Sequence, residues 1–273
     1  MVDHSTNAAA DTATNHQPVV RLVDVHKQFG DLVVLDGVNL KLRKGETTVI
    51  IGESGCGKSV LLNHIVRLIK PDRGEVYFHD QRIDNLPERE LAVLRPHFGY
   101  LFQLSALFDS LTVAENVGFP IAEHTKKSRK QVESIVRRKL AMVGLDGLQN
   151  KFPAQLSGGQ KKRVALARAI ALDPEMVLYD EPTTGLDPPR ADEINELILK
   201  LKGELGVTSV VVTHDMASAR KVADRIVMLH RGEFIFDGTP ESIARSNDAR
   251  VRCFVEGRCA ADVLQTLHKK GQT

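Results

Sequence analysis

The glycine-rich residues 52–59 have the spacing that most directly predicts chemistry. They read Gly-Glu-Ser-Gly-Cys-Gly-Lys-Ser, which fits the phosphate-binding pattern G-x-x-x-x-G-K-[ST], and they stand between a β-branched run and a stretch with helical spacing. Glycines allow backbone N–H groups to curve around phosphates, and the start of a helix adds positive potential. We expect Lys58 to act in catalysis by reaching the β- and γ-phosphates of a nucleotide, and the Ser59 hydroxyl to ligate Mg²⁺. The predicted nucleotide contacts in this loop are Gly52, Glu53, Ser54, Gly55, Cys56, Gly57, Lys58, Ser59 and Val60.

Two acids follow an apolar run, residues 176–179, where a strand would end. Ligands bind beyond the carboxyl ends of strands in open α/β sheets, so Asp180 and Glu181 stand where chemistry is expected. Asp180 suits a water-mediated bond to Mg²⁺, and Glu181 suits polarisation of the water that attacks a γ-phosphate. Acids also end strands at protein surfaces without such roles, but together with a phosphate loop the pair predicts nucleotide hydrolysis.

Residues 156–160 read Leu-Ser-Gly-Gly-Gln and are followed by Lys-Lys-Arg-Val-Ala-Leu-Ala-Arg. Ser157 and the two glycines would expose hydrogen-bond donors at the start of a helix, which makes an anion site suited to a γ-phosphate. A helix cap after a flexible loop is the plainer alternative. The stretch resembles the signature motif of ATP-binding cassette (ABC) ATPases. The residues that this resemblance implies in nucleotide binding are Ser157, Gly158, Gly159 and Gln160.

Four further residues stand in the order in which ABC ATPases carry their remaining motifs. Phe29 resembles the aromatic residue that stacks on adenine, and Gln103 resembles the Q-loop glutamine, which is implied in catalysis and in binding Mg²⁺. Asp187 resembles the nucleotide-site acid of the D-loop, and His214 resembles the catalytic switch histidine that contacts the γ-phosphate. Each is weak alone, because a phenylalanine is usually core and a glutamine usually solvated. Their order extends the resemblance over about residues 19–240.

The resemblance also implies how the protein works. ABC ATPases act as head-to-tail pairs, in which the phosphate loop of one subunit and the signature of the other enclose each ATP. One chain here carries one of each motif, so the implied unit is a homodimer with ATP and Mg²⁺ as cofactors. The implied reaction is ATP hydrolysis coupled to transport through an integral membrane permease. The implied location is cytoplasmic, peripheral on the inner face of the cytoplasmic membrane.

The elements that must position these residues predict an α/β fold. Short strands within residues 19–42 indicate an antiparallel β edge subdomain, and alternating helix and strand signals after residue 160 indicate a mostly parallel sheet core. A basic, helix-favouring stretch at 126–145 indicates a helical subdomain over about 104–160. The sequence therefore predicts a P-loop NTPase fold of ABC type.

Composition sets the limits of this interpretation. The chain has 273 residues and a formal net charge of +2, which does not indicate a nucleic-acid partner. Its three cysteines form no C-x-x-C pair that would predict a zinc site. Because no apolar run approaches the roughly 20 residues that cross a bilayer, a role at a membrane would require another protein. We predict a disordered tail at 1–18, the ATPase domain at 19–247 and a C-terminal extension at 248–273.

Residues 106–117 read Ala-Leu-Phe-Asp-Ser-Leu-Thr-Val-Ala-Glu-Asn-Val and resemble the Mce-associated, Mla-type ATPases that move phospholipids. Tyr179 and residues 248–257 support this resemblance, which implies an Mce-domain lipid-binding protein as a partner. Leu107 and Phe108 are predicted at or directly behind the permease contact. Another bacterial ABC importer or a cell-division-type ABC complex stays an alternative, since most motifs are shared. ABC proteins of DNA repair or translation carry two cassettes or long heptad insertions, and this chain has neither.

Overall fold

The structure is a computed structural model that describes residues 18–257, and its strands form two sheets. The strands are β1 (Pro18–Phe29), β2 (Leu32–Arg43), β3 (Thr47–Ile51), β4 (Arg73–Phe78), β5 (Gln81–Arg82), β6 (Phe98–Leu101), β7 (Met176–Asp180), β8 (Thr208–Thr213), β9 (Arg225–His230) and β10 (Glu233–Gly238). The helices are α1 (Lys58–Ile65), α2 (Glu88–Leu94), α3 (Val113–His124), α4 (Arg129–Met142), α5 (Gly158–Ala169), α6 (Pro188–Leu205), α7 (Met216–Val222), α8 (Pro240–Ile243) and α9 (Ala249–Glu256), with 3-10 turns at Arg95–His97 and Pro153–Gln155.

The larger sheet has the strand order β10-β9-β3-β8-β7-β6. Neighbours from β9 to β6 are parallel, and β10 adds an antiparallel hairpin at one edge. Strands β3, β7 and β8 are buried along their whole length, as parallel strands covered on both faces are. The register places Ile51 beside Thr213 and Asp180 beside Val212. The loops that follow these strands therefore meet at one edge, and the predicted parallel sheet is confirmed.

The smaller sheet has the order β2-β1-β4-β5 and is antiparallel throughout, which confirms the predicted antiparallel subdomain. Strand β1 begins at Pro18, which pairs with Arg43. Proline is tolerated as the first residue of a strand because its missing N–H is not needed there. The tail predicted at 1–18 is therefore one residue too long, and its other residues, 1–17, lie outside the described part, as do residues 258–273 of the predicted extension.

Helices α3 and α4 lie within the helical subdomain that the sequence predicts over about residues 104–160. Thr112 caps α3 in a capping box with Glu115, which satisfies two free N–H groups at the helix start. A Cβ atom on Gly118 would lie 3.3 Å from the Val132 side chain, so the glycine lets α3 approach α4 closely. Pro120 also stands inside α3 and cannot donate a helical hydrogen bond.

Two apolar cores cover the two faces of the larger sheet. The first lies between that sheet and helices α3 to α7, with members such as Val49, Tyr179 and Leu166. The second lies between the opposite face, helix α1 and the smaller sheet, with members such as Ile50 and Leu61. In the described part of the chain, no helix has the length and apolar character needed to span a bilayer.

Candidate nucleotide site

The phosphate-binding loop joins β3 to α1, and two of its glycines are required by close backbone contacts. Gly52 has a φ of 154°, and a Cβ atom there would lie 2.3 Å from the carbonyl oxygen of Leu229. Gly57, immediately before α1, has a φ of 104°, and a Cβ atom there would lie 2.8 Å from the Val34 side chain. Any side chain at either position would displace the loop from the sheet edge.

Lys58 closes the loop on itself. Its buried Nζ donates hydrogen bonds to the carbonyl oxygens of Gly52 at 2.8 Å and Glu53 at 2.9 Å. The same ammonium lies 3.9 Å from the carboxylate of Glu181. Burial raises the pKa of the Cys56 thiol within this loop, so the thiol favours its neutral form. The loop therefore presents one cationic side chain beside the acidic end of the neighbouring strands.

Asp180 and Ser59 meet across the sheet edge. The Ser59 hydroxyl donates to the Asp180 carboxylate at 2.8 Å, and Asp180 is only 7% exposed. Burial raises the pKa of Asp180 above its usual range, and the neighbouring charge of Glu181 adds to this, while Ser59 opposes it. A carboxylate in this position would gain stability from a cation placed beside the Ser59 hydroxyl. The structure brings these two residues together, and their role in binding Mg²⁺ stays a prediction.

Glu181 follows β7 in a left-handed backbone conformation, with a φ of 47°. Such a conformation costs a non-glycine residue on the order of 1–3 kcal/mol and is concentrated at functional sites. Its carboxylate lies 2.9 Å from His214 Nδ1 and accepts a 3.0 Å hydrogen bond from the Thr184 hydroxyl. The histidine and the threonine fix the direction of the carboxylate. The arrangement suits a base that takes a proton from a water held beside Lys58.

The signature residues stand apart from this cluster. Ser157 caps α5 in a capping box with Gln160, and both Ser157 and Gly158 are exposed. The nearest atoms to a Cβ built on Gly158 belong to Leu186, and those for Gly159 belong to Arg190. The signature thus lies beside the start of α6 and presents the N-terminus of α5 to solvent.

The three remaining predicted residues are all at the surface. Asp187 caps α6 by accepting a 3.0 Å hydrogen bond from the Arg190 N–H, so it has a structural role in addition to the predicted one. Phe29 ends β1 with 48% of its surface exposed, and the Lys27 ammonium lies 5.2 Å from its ring centre. Gln103 follows β6 and is exposed. An exposed phenylalanine is not core, which favours the stacking role predicted for Phe29.

The sequence profile of the ABC transporter family matches residues 35–184, more than half of the chain. The chain is also 41% identical over 242 residues to the intermembrane phospholipid transport system ATP-binding protein MlaF of Haemophilus influenzae, covering 89% of this chain and 92% of that protein. The chain belongs to the ABC transporter family. This membership confirms the predicted family and fold, and at the level of the family it confirms the predicted enzyme class, an ATPase.

Two further comparisons bear on the ABC-family chain. It is 41% identical over 232 residues to the probable ribonucleotide transport ATP-binding protein mkl of Mycobacterium tuberculosis, covering 85% of this chain but spanning only 65% of that protein's length. The ATP-binding cassette MJ0796, solved as a dimer in a post-hydrolysis state bound to ADP and Pi, is 38% identical with a TM-score of 0.75. That match covers 81% of this chain and 98% of the solved chain.

Two cations on α5 were missed by sequence reasoning. Lys162 is buried, and Arg168 donates hydrogen bonds to the loop that follows Gln103. Lys162 lies in the basic run Lys-Lys-Arg, where sequence alone does not indicate which side chain turns inward. Tyr100 on β6 was also missed; burial raises its pKa strongly, and the charge of Asp180 adds to the effect.

A groove of about 320 Å³ opens beside β6 and the loop that follows it. Three phenylalanines on its wall, Phe102, Phe108 and Phe119, are each at least 37% exposed. The rings of Phe108 and Phe119 have centres 4.9 Å apart, and the Arg168 guanidinium lies 5.9 Å from the Phe108 ring centre. Leu107 is half-buried and packs on the core behind this wall. The groove thus exposes an apolar, aromatic surface, which marks an interaction site in proteins of this size.

Proposed function

We propose that this chain is the ATP-hydrolysing subunit of a transporter that moves phospholipid. One observation carries the catalytic part: the Ser59–Asp180 and Glu181–His214 pairs lie together beside Lys58 at the edge of the parallel sheet. Only the combination of a phosphate loop, a cation-binding pair and an oriented base supports hydrolysis rather than nucleotide binding alone.

The residues present fit Mg²⁺ bound with ATP. Within residues 18–257, no group of three His, Cys, Asp or Glu side chains could hold a metal ion. A hydroxyl and one carboxylate with water around them are oxygen ligands of the kind Mg²⁺ prefers. Ser59 and Asp180 would hold the ion, with Gln103 as a further predicted ligand. When bound, Mg²⁺ and ATP supply an activated γ-phosphate with its charge partly neutralised.

The remaining roles belong to the chain's own side chains. Lys58 would exchange its bonds to the loop carbonyls for phosphate oxygens, since an ammonium offers three donors. Glu181 would accept a proton from the attacking water, and His214 would hold that carboxylate in place. Phe29 would stack on the base, and its exposed ring is free to do so.

A pair of identical chains completes the proposed site. The exposed signature N-terminus of α5 and the buried hydrolysis centre lie in different parts of one chain, so a second copy would supply the missing half. The relative MJ0796, which was solved as a dimer, supports this proposal. Asp187, at the start of α6 near the signature, would then lie at the contact between the two chains.

The aromatic groove is proposed to receive a short helix of an integral membrane permease. An amphipathic helix laid in an apolar groove is a common recognition mode, and Phe108 would be its main contact, with Leu107 directly behind. This permease would hold the subunit on the cytoplasmic face of the membrane. An Mce-domain lipid-binding protein is proposed as a further partner of the same complex.

The proposed cargo rests on relatives. The Haemophilus relative, named for intermembrane phospholipid transport, matches along 92% of its own length and supports phospholipid. The mycobacterial relative, named for probable ribonucleotide transport, favours a second candidate cargo, but this chain spans only 65% of it. The longer shared length makes phospholipid the stronger proposal.

Co-purification tests the partner and the cargo together. The tagged chain, extracted from its source membranes in detergent, is expected to recover a permease and bound phospholipid. Phe108→Glu is expected to lose the permease yet keep ATP binding, because the change lies in the groove. Phe152→Glu is the matched control, since Phe152 is also 43% exposed but lies outside the groove. Recovery of a nucleotide permease would overturn the phospholipid cargo, and equal loss from both variants would overturn the groove as the contact.

A further inference from the structure

Lys162 on α5 is a buried cation that the motifs leave unexplained. It is only 6% exposed. Its Nζ donates to the carbonyl oxygen of Gln103 at 2.5 Å and to that of Glu181 at 3.3 Å. Burying an ammonium is unfavourable unless its N–H groups find partners, so these two carbonyls account for its position. One side chain therefore holds the main chain at two predicted catalytic residues.

Gln103, whose carbonyl accepts from Lys162, is followed by a loop that reaches the wall of the aromatic groove. Arg168, on the same helix, donates to the carbonyl oxygens of Ser105 at 2.8 Å and Ala106 at 2.7 Å. Ser105 and Ala106 have φ angles of 64° and 45°, in the left-handed region that non-glycine residues avoid. Helix α5 thus fixes an otherwise unfavourable loop at three carbonyls, and the last of them, that of Ala106, belongs to the groove wall.

The second carbonyl that Lys162 contacts belongs to Glu181, the predicted base, and main-chain contacts there set the direction of its carboxylate. The Glu181 N–H donates to the Val212 carbonyl at 2.9 Å, and the Glu181 carbonyl accepts from the Thr184 N–H at 3.2 Å and from Lys162. These main-chain contacts hold Glu181 in its left-handed backbone conformation. Burial lowers the pKa of Lys162, while the charges of Asp180 and Glu181 oppose that shift.

We propose that Lys162 is a positioning residue for hydrolysis. It holds Glu181 in place by bonding to the main chain of Glu181, and it connects Glu181 to the loop after Gln103, which lines the groove. The proposal rests on the proposed ATPase function. A permease helix that moved the Gln103 loop would move one partner of the Lys162 ammonium, and the other partner is the base itself. Helix α5 would in this way connect the groove to the rate of hydrolysis within a single chain.

The neighbouring Lys161 provides a matched control, because it is half-exposed and stands one position away on the same helix. Lys162→Met keeps an unbranched side chain that is one atom shorter and removes the hydrogen-bond donors. Lys162→Gln keeps N–H donors on a side chain that is one atom shorter and uncharged. Lys161→Met makes the same substitution at the half-exposed neighbouring lysine. ATP hydrolysis and the binding of a non-hydrolysable ATP analogue are measured for the purified full-length chain of each variant.

We expect Lys162→Met to lower kcat about tenfold to a hundredfold, the usual effect of a small displacement of a reacting group. The KM for ATP is expected to change less than about threefold, because the phosphate contacts stay intact. Lys162→Gln is expected to lie between Lys162→Met and the unaltered chain, and Lys161→Met to match the unaltered chain. In a Glu181→Gln background, Lys162→Met is expected to cost less than about threefold more, since its effect passes through Glu181.

Each other result overturns the proposal. A normal kcat in Lys162→Met, an equal loss in Lys161→Met, or the same fold-loss in the Glu181→Gln background would each remove the positioning role. If Lys162→Met fails to bind the analogue, Lys162→Gln decides by the same criteria. An unaltered chain without ATPase activity would overturn the proposed function and this inference with it, whereas an active unaltered chain with an equally active Lys162→Met would overturn the inference alone.

Discussion

The hydrolysis centre and the signature carry similar sets of glycines and small polar residues, yet they differ in burial and in their hydrogen-bond partners. Lys58, Asp180 and Glu181 are each at most 7% exposed, and each has an ion-pair or hydrogen-bond partner from another element. Among the described residues, Ser157 has hydrogen bonds to Gln160 and Lys161 of the helix that it caps, and it is exposed to solvent. The fold of a single chain assembles the hydrolysis centre, whereas the signature exposes hydrogen-bond donors to solvent.

The difference shows where each region obtains its stability. The hydrolysis centre carries strain at Glu181, and the packed sheet edge around it supplies the contacts that maintain that conformation. The signature needs only a helix cap to form, because its donors are left for a partner. We therefore expect substitutions in the first region to act within a chain and those in the second to act between chains.

The largest expected effect is on hydrolysis in Glu181→Gln. The amide cannot accept the proton of the attacking water, so we expect the rate to fall about 10²–10⁴-fold, the usual contribution of a general base. ATP binding is expected to persist, because Lys58 and the loop are unchanged. The variant is then expected to elute as a dimer in gel filtration with ATP and Mg²⁺, and a monomer under those conditions would contradict the two-chain site.

A second prediction separates the two regions directly. Lys58→Ala and Ser157→Arg are each expected to be nearly inactive as pure dimers. Mixed in equal amounts, they are expected to recover up to about a quarter of the normal rate, since half of the dimers are mixed and each mixed dimer keeps one of two intact sites.

Steady-state ATPase assays on the mixture measure this recovery. Mixing Lys58→Ala with Glu181→Gln is the control, because both changes fall in the hydrolysis centre and every mixed dimer would retain two damaged sites. Recovery in that control would mean that the two regions are not divided between chains as proposed.

The smallest expected effect concerns Asp187, where the structural and functional interpretations differ. Removing an N-cap side chain costs about 1 kcal/mol, so Asp187→Ala is expected to lower the free energy of unfolding by that amount. Asp187→Asn is expected to be nearly neutral for stability, because asparagine also caps helices. Denaturant unfolding measures both variants. If Asp187→Asn is as stable as the unaltered chain yet loses ATPase activity, the acid acts at the contact between chains as well as in the cap.

The residues of the hydrolysis centre could be selected from the sequence because they stand at the ends of two short apolar strands, β3 and β7, which local pattern identifies. The strand at residues 47–51 agrees with β3, and the acids follow β7 as expected. Helix α3 was not predicted as a separate element. Gly118 and Pro120 both disfavour a helix locally, and packing of α3 against α4 and α5 overrides that preference.

The burial of Lys162 could not be predicted for a related reason. Lys161, Lys162 and Arg163 have similar polarity, and which of them turns inward depends on how α5 is rotated against β6 and β7. That rotation is set by apolar contacts such as those of Val164 and Leu166, which are both buried. Long-range packing, and not local pattern, therefore decides which of the three cations reaches the catalytic main chain.

The self-closed phosphate loop bears on how a nucleotide is received. Lys58 ties the loop to itself through the Gly52 and Glu53 carbonyls, so contacts within one chain hold the conformation of the loop. A preformed receptor loses little conformational entropy when it binds, which favours fast capture over slow reorganisation. Binding of the nucleotide by one chain and the proposed approach of the second chain would then be separate events.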